Sequence, residues 1–443
     1  MISSLLIANR GEIARRIVRT ARDMGIRTVA VYSEADAGLP HAAEADEAVL
    51  LGPAEPTSSY LDVDAVLNAA KRTGAQAIHP GYGFLSEKAE FARAVVDAGL
   101  IWVGPGPDAI EAMGDKINAR NLMAAHGVPV APGGQDPVAD APAALAVAER
   151  IGYPVMVKAA AGGGGMGMAT ADDAEALAAQ AEKIHGFASR LFGSGDLLIE
   201  RYFPRVRHIE MQILGLADGR VLTLGERECS VQRRHQKLVE ETPSPAVDAA
   251  LRQRLAEASR RAGEAVGYRG AGTVEYLLDA ETGDFFFLEM NTRLQVEHPI
   301  TEAVYGVDLV AAQLRVAAGV DPGVDDAAPS GHAVELRVNA EDPKRFLPGP
   351  GTITAWEEPT GEGVRVDSGY KLGDTVPRYY DSLMAKVVVH GADRDEALAR
   401  ARRAVAGFDV AGPKSNLPFH AEVLDEPEFV SGNYDTGIVG RMR

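Results

Sequence analysis

The chain has 443 residues, 46% hydrophobic and 24% charged, a globular balance in a length that calls for two or three domains rather than one core. A formal net charge of −18 argues against a nucleic-acid or anionic-membrane surface, whose phosphates it would repel, but leaves room for local cation clusters around small anions. The single cysteine, Cys229, excludes an internal disulfide framework and reads as a packing residue in a reducing cytoplasm, and neither a leader-like start nor an apolar run near the ~20 residues of a bilayer span is visible.

Residues 5–8 read as a strand, 11–24 as a helix and 27–32 as a second strand, a βαβ unit that implies a parallel sheet. Helices at 62–72 and 88–98 and strands at 75–79 and 100–103 continue it, giving an open α/β domain over 1–113. It lacks the GxGxxG fingerprint, so a dinucleotide reading is poorly supported. The stretch from His79 to Glu87 follows a strand's carboxyl end and is either a ligand loop or a glycine-rich turn.

Prolines and glycines over 104–136 mark a domain edge, with Lys116 opening a helix. Lys158 ends a strand that runs into Gly162-Gly163-Gly164-Gly165, and Met168–Thr170 returns as a second strand. Such a loop cradles an anion with backbone N–H groups or is merely a flexible hairpin; without a GK[ST] ending or a following helix it is no Walker loop. Residues 197–203 form a buried strand, and 207–213 and 219–224 alternate. The dense polar run from Glu226 to Lys237 is either a solvated ionic network or a cleft in which Gln232, His235 and Lys237 meet an anion.

Residues 248–266 read as an amphipathic helix, and 270–277 as a strand carrying Glu275. A turn at 279–284 returns the chain through Phe285–Leu288, then Glu289, Asn291, Arg293, Gln295 and Glu297 at every second position, until Pro299. If it stays extended, those five side chains share a face, as a solvated edge or a cleft lining. Glu275 and Glu289 across a hairpin, with Asn291, make a hard-oxygen site suited to Mg²⁺. Residues 301–318 read as a helix, 321–330 as a polar boundary, 350–390 as short strands, 394–406 as a helix and the tail from 407 as irregular.

Five or more long motifs then align with one family. Residues 7–14 (IANRGEIA), 79–87, 158–168, 230–240, 289–299 and 331–343 (GHAVELRVNAEDP) closely resemble biotin carboxylase, and the resemblance spans essentially the whole chain. It implies a mixed α/β fold: a pre-ATP-grasp, Rossmann-like domain over 1–113, an ATP-grasp domain over 114–330 with a glycine-rich lid at about 131–203, and a C-terminal biotin carboxylase domain over 331–443. The implied reaction is ATP- and Mg²⁺- (or Mn²⁺-) dependent carboxylation of biotin by bicarbonate through carboxyphosphate, the first half-reaction of an acyl-CoA carboxylase.

Carried over by position, Lys116, Lys158, His208 and the backbone of Gly164 and Gly165 meet ATP. Glu200, Arg201, Tyr202 and Phe203 hold the adenine, with Gln232 and His235 near the ribose and phosphates. Glu275, Glu289 and Asn291 are the metal ligands, the first two also counted with ATP. Lys237, Arg293, Gln295, Val296 and Glu297 line the bicarbonate pocket, Glu297 as base, with Lys237 and Arg293 among the catalytic groups. Tyr82 and Arg337 meet biotin, Arg337 steadying its ureido oxygen. The family also implies a homodimer with a carboxyltransferase subunit as partner. Met166 and Ala169 depart from the basic residues many members carry in the lid loop. No Met-Lys-Met biotin acceptor occurs, so biotin is expected on a separate carrier protein, or on a carrier domain of a longer subunit.

Overall fold

A computed structural model describes residues 2–160, 167–325 and 328–443, so Gly164, Gly165 and Met166 lie outside the described residues. At the amino end β1 (Ser4–Ile7), β2 (Arg27–Ser33), β3 (Glu47–Gly52), β4 (Ala77–His79) and β5 (Ile101–Trp102) form a parallel sheet in the order β3-β2-β1-β4-β5. Every residue of β1 and β4 is buried, as a parallel sheet covered on both faces requires. The edge strand β3 is not among the strands read from the sequence, although Ala48–Leu51 is an apolar run; in it only Val49 is buried. The order reverses at β1 and β4, so Asn9–Glu12 and His79–Glu87 share the crevice where ligands of such sheets sit.

Next come three antiparallel strands, β6 (Val155–Ala159), β7 (Met168–Ala171) and β8 (Leu197–Arg201), packed on the helices Ala141–Ile151 and Ala174–Phe192. The largest sheet holds β9 (Val206–Gly215), β10 (Val221–Arg233), β11 (Gln236–Thr242), β12 (Gly270–Asp279), β13 (Phe285–Asn291) and β14 (His332–Asn339). With the strands Leu383–Gly391 and Val364–Ser368 its order is β13-β12-β9-β10-β11-β14-(383–391)-(364–368), antiparallel throughout. Hydrogen bonding therefore runs unbroken across the polar segment 321–330, from β11 to β14.

Helix starts follow aspartate caps. Asp62, Asp115, Asp140, Asp173, Asp248, Asp308 and Asp393 each accept a backbone N–H of the first turn, a contact worth about 1 kcal/mol. Two expectations fail. The helix read over 301–318 is two, His298–Tyr305 and Leu309–Ala317, because Gly306 turns left-handed and Asp308 caps a new start. The tail from 407 is a strand, Asp409–Ala411, and the helices Leu417–Asp425, Pro427–Ser431 and Ile438–Arg441, each too short for periodicity to show. Phe419, Val423, Leu424, Phe429 and Ile438 bury them against the large sheet. No helix among the described residues is long and apolar enough to cross a membrane.

Glu241 of β11 ties this tail down. It accepts from His332 at 2.7 Å, from Arg394 at 2.7 and 3.0 Å, and from Tyr434 at 2.5 Å. Burial would raise its carboxyl, but the hydrogen bonds from His332 and Arg394 outweigh it and hold the pKa at about 2. An unfolded glutamate titrates near 4.3, so this group adds about 3 kcal/mol above that pH, lost as pH falls toward 2. Urea titrations between about pH 5 and 2 are expected to lose that increment in the wild type, whereas Glu241→Gln, already destabilised at neutral pH, loses less over the same range.

Candidate active site

Across the middle of the large sheet four charged residues oppose one another. Arg227 on β10 faces Glu210 on β9, Glu210 faces Glu275 on β12, and Glu275 faces Glu289 on β13. Opposed residues of antiparallel strands share a face. Adjacent carboxylates repel unless cations intervene, and two do. The fully buried Arg227 donates to Glu210. Lys237 of β11 places Nζ 2.5 Å from Glu210, 2.8 Å from Glu275 and 2.6 Å from Glu297. Burial lowers the Lys237 pKa, but the three carboxylates outweigh it and put it well above its ordinary value. His208, two residues before Glu210, holds Nε2 3.0 Å from Glu275, off the hydrogen-bond angle. There too burial lowers the pKa and Glu275 more than restores it.

The polar row beyond β13 does not stay extended. The strand ends at Asn291, and the chain turns into the helix His298–Tyr305, with Glu297 as N-cap residue and Pro299 in the first turn. Pro299 starts a helix instead of ending a strand, because its missing N–H costs nothing there. The side chains converge all the same, since the turn folds back over the sheet. Gln295 donates to Glu275 at 2.8 Å and accepts from Arg227 at 3.0 Å. Asn291 donates to Glu275 at 2.9 Å and accepts from Arg293 at 3.0 Å. Glu87, from the loop after β4, accepts from Arg293 at 2.9 Å, and Lys386 donates to the Val296 carbonyl at 2.8 Å.

Glu297 sits at the centre, almost without exposure. Burial alone would raise its carboxyl, but Lys237, Arg337 and Arg227 outweigh it and hold it well below the usual carboxylate range. Arg337 on β14 donates to Glu297 at 3.0 Å and, from Nε, to Glu240 of β11 at 2.6 Å. Tyr82 donates to Glu12 within reach of the Arg337 charge. Its loop is clamped by Asn9, whose Nδ2 donates to the carbonyls of Pro80 and Tyr82, each at 2.7 Å. Only glycine fits at position 81, where φ is +63° and a Cβ would lie 2.8 Å from Asn9 Nδ2.

The remaining residues lie toward β6–β8. Lys116 points Nζ to 3.9 Å from Glu289, and Lys158 pairs with Glu200, which also lies 3.5 Å from Arg120. The N–H groups of Arg201 and Tyr202 bond to the carbonyls of Pro132 and Pro154, leaving Phe203 as the next N–H without a described acceptor. The Phe203 ring stacks on Phe286 of β13 at 4.7 Å. Gln232 faces Lys237 across the β10–β11 hairpin, whose exposed tip is His235 at φ +67°. Among the described residues no hydrogen bond or ion pair draws Lys158 or His235 into the central cluster.

Glu289 has no hydrogen-bond donor among the described residues, and desolvation together with the facing Glu275 raises its carboxyl. That unpartnered carboxylate opposite Glu275, with the Asn291 amide beside them, fits a hard divalent cation such as Mg²⁺ or Mn²⁺. Asn291 offers its nitrogen to Glu275 here and would present Oδ1 by turning its amide over.

Glu87, Glu210, Arg227 and Glu240 are absent from the sequence-based site. Alternation of His208, Glu210 and Gln212 was the available signal, but it reads as a half-exposed strand, whereas both faces of β9 are buried. The run from Glu226 to Val231 is buried throughout, which removes the solvated-network alternative there.

Family models match in three consecutive blocks: biotin carboxylase, N-terminal domain, over residues 1–110; carbamoyl-phosphate synthase L chain, ATP binding domain, over 115–322; and biotin carboxylase C-terminal domain over 335–441. Biotin carboxylase 1 of Bacillus subtilis is 48% identical over 439 residues, 98% of either chain. The biotin-dependent acyl-coenzyme A carboxylase alpha3 subunit of Mycobacterium leprae is 48% identical over 98% of this chain and 72% of its own. The biotin carboxylase–β,γ-ATP complex from Campylobacter jejuni superposes with a TM-score of 0.95 at 43% identity, covering 100% of this chain and 99% of that one. The biotin carboxylase domain dimer of Hydrogenobacter thermophilus 2-oxoglutarate carboxylase, in complex with MgADP, ADP and bicarbonate, gives 0.93 at 41% identity, covering 100% and 98%. With its buried cluster, three matching blocks in order and full-length relatives near half identity, the chain belongs to the biotin carboxylases, ATP-dependent ligases of the first half-reaction of biotin-dependent carboxylases.

Proposed function

We propose that the chain uses ATP and bicarbonate to carboxylate biotin carried on a separate protein or domain, for an acyl-CoA carboxylase. The observation that carries this reading is the meeting of Lys237, Glu297 and Arg337 in one buried cluster beside the Glu275–Glu289 pair. Bicarbonate sits among Lys237, Arg293, Gln295 and Val296, and Glu297 takes its proton. The freed oxygen attacks the γ-phosphorus as the bond to ADP breaks, giving carboxyphosphate. Its C–O bond then breaks to release phosphate and CO₂; biotin N1′ gives up its proton to the released phosphate and bonds to the CO₂ while Arg337 holds the ureido oxygen.

The cations that keep Glu297 ionised also weaken it as a base. Lys237 resolves this by turning onto the substrate dianion, which lifts one cation from Glu297 and stabilises the product of proton transfer. Glu275, Glu289 and Asn291 would hold Mg²⁺ or Mn²⁺, which would supply neutralisation of the phosphate charge. Lys116, Lys158, His208, Gly164 and Gly165 take the phosphates, Glu200 to Phe203 the base, and Gln232 and His235 the ribose side. Lys158 must leave Glu200 to do so. The reading extends to a homodimer, supported by the dimer of the Hydrogenobacter domain, and to carrier and carboxyltransferase partners, supported by the naming of the Mycobacterium relative as a subunit. It places the enzyme in the cytoplasm.

Arg337→Ala tests it. Bicarbonate-dependent ADP release is expected to persist while kcat/KM for free biotin falls about 10²-fold or more, the scale of a lost charge-stabilising donor. Unchanged stimulation by biotin would contradict the assignment.

A further inference from the structure

Beneath Arg337 lie two carboxylates that the reaction as described does not use. Glu335 stands two residues before Arg337 on β14, hence on the same face, and directly opposite Glu240 of β11. Both are fully buried. Glu240 gives one oxygen to Arg337, and no described residue hydrogen-bonds its other oxygen or either oxygen of Glu335.

The charged groups around Glu335 are otherwise engaged. Lys386, on the next strand, bonds to the Val296 carbonyl at 2.8 Å and lies 3.2 Å from Glu12. Lys237 is shared among Glu210, Glu275 and Glu297. On the covering helix Glu302 is paired with Arg16 and Arg365, and His298, pushed well down by burial and by Lys386, Arg16 and Arg365, is neutral. His390 bonds to the Ser330 carbonyl. Ile300, Val304, Ala333 and Val388 close the space with apolar surface.

We infer that Glu335 and Glu240 share one proton and act together as the positioning element for Arg337. This rests on the carboxylase reading. Opposed carboxylates in an apolar setting cannot both ionise cheaply, and a hydroxyl on Glu335 donating to the free oxygen of Glu240 satisfies both. Burial raises both groups, Glu240 to about 7 and Glu335 well above the ordinary range with the Glu240 charge adding to it, in line with that arrangement. Glu240 then stays an anion that orients the guanidinium while Glu297 shares its other edge. Loss of the shared proton would add a second anion on Arg337's own strand and draw the guanidinium into the sheet, away from biotin.

Infrared spectra and the biotin pH profile test this together. At neutral pH the wild type is expected to show a protonated carboxylic acid band that Glu335→Gln removes. The alkaline fall in kcat/KM for biotin is expected to move up by about one pH unit or more in Glu335→Gln, while biotin-independent, bicarbonate-dependent ATP hydrolysis keeps its profile. Should that variant fail to fold, the wild type decides: its band must fall to half at the midpoint of its own alkaline fall and vanish above it. A spectrum without the band, or a limb that stays in place, overturns the inference. A wild type that biotin never stimulates would instead sink the carboxylase reading, and the infrared band would still decide whether the proton is shared.

Discussion

Glu297→Gln is expected to lower bicarbonate-dependent ATP turnover by about 10²–10⁴-fold, the contribution of a positioned general base. The amide keeps the shape of the side chain, and its one oxygen can still accept from Lys237 or Arg337, which now reach the two carboxylate oxygens at 2.6 and 3.0 Å. It cannot take a proton. Glu297 caps the helix His298–Tyr305 without a side-chain hydrogen bond to it, so the helix does not depend on its charge. Binding of ATP, measured by calorimetry, should therefore change little while turnover collapses. Turnover within a few-fold of wild type would remove Glu297 from the chemistry.

Arg227→Met is expected to destabilise the fold by about 3–5 kcal/mol, the cost of stripping one partner from a buried ion pair. Arg227 pairs with Glu210 and donates to Gln212 at 2.7 Å, Thr301 at 2.9 Å, Gln295 at 3.0 Å and Thr273 at 3.1 Å. Without it Glu210 remains buried with Lys237 alone. Adding Glu210→Gln should recover part of the loss, and a double-mutant cycle in urea measures the coupling. Additive losses would mean that the pair carries no interaction of its own. Because Gln295 loses its anchor as well, the single variant should also bind bicarbonate less tightly.

Much of this site is legible in the chain because its residue types are incompatible with bland alternatives. A carboxylate pair across a short turn, at 275 and 289, has one register that aligns it, and the strands adopt it. What hides is of two kinds. The turn after Asn291 preserves alternation in sequence while abandoning it in space, since Pro299 can end a strand or begin a helix and only packing decides. Glu210 hides because a polar residue at every second position reads as a wet strand face, and Arg227 because the polar run from Glu226 reads as a solvated ionic network. Burial by other parts of the fold, such as the helix starting at His298, is a tertiary fact that no local window carries. The tail from 407 escapes for the complementary reason, as its helices are shorter than the window in which periodicity can be counted.

The central claim is that bicarbonate itself attacks ATP, and bicarbonate labelled with heavy oxygen tests it most directly. If one bicarbonate oxygen bonds to the γ-phosphorus and stays there when carboxyphosphate breaks, phosphate released by the wild type should carry a single heavy oxygen, seen by mass spectrometry, with biotin increasing its rate of appearance. Phosphate that takes its new oxygen only from water, at a rate indifferent to bicarbonate, would contradict it.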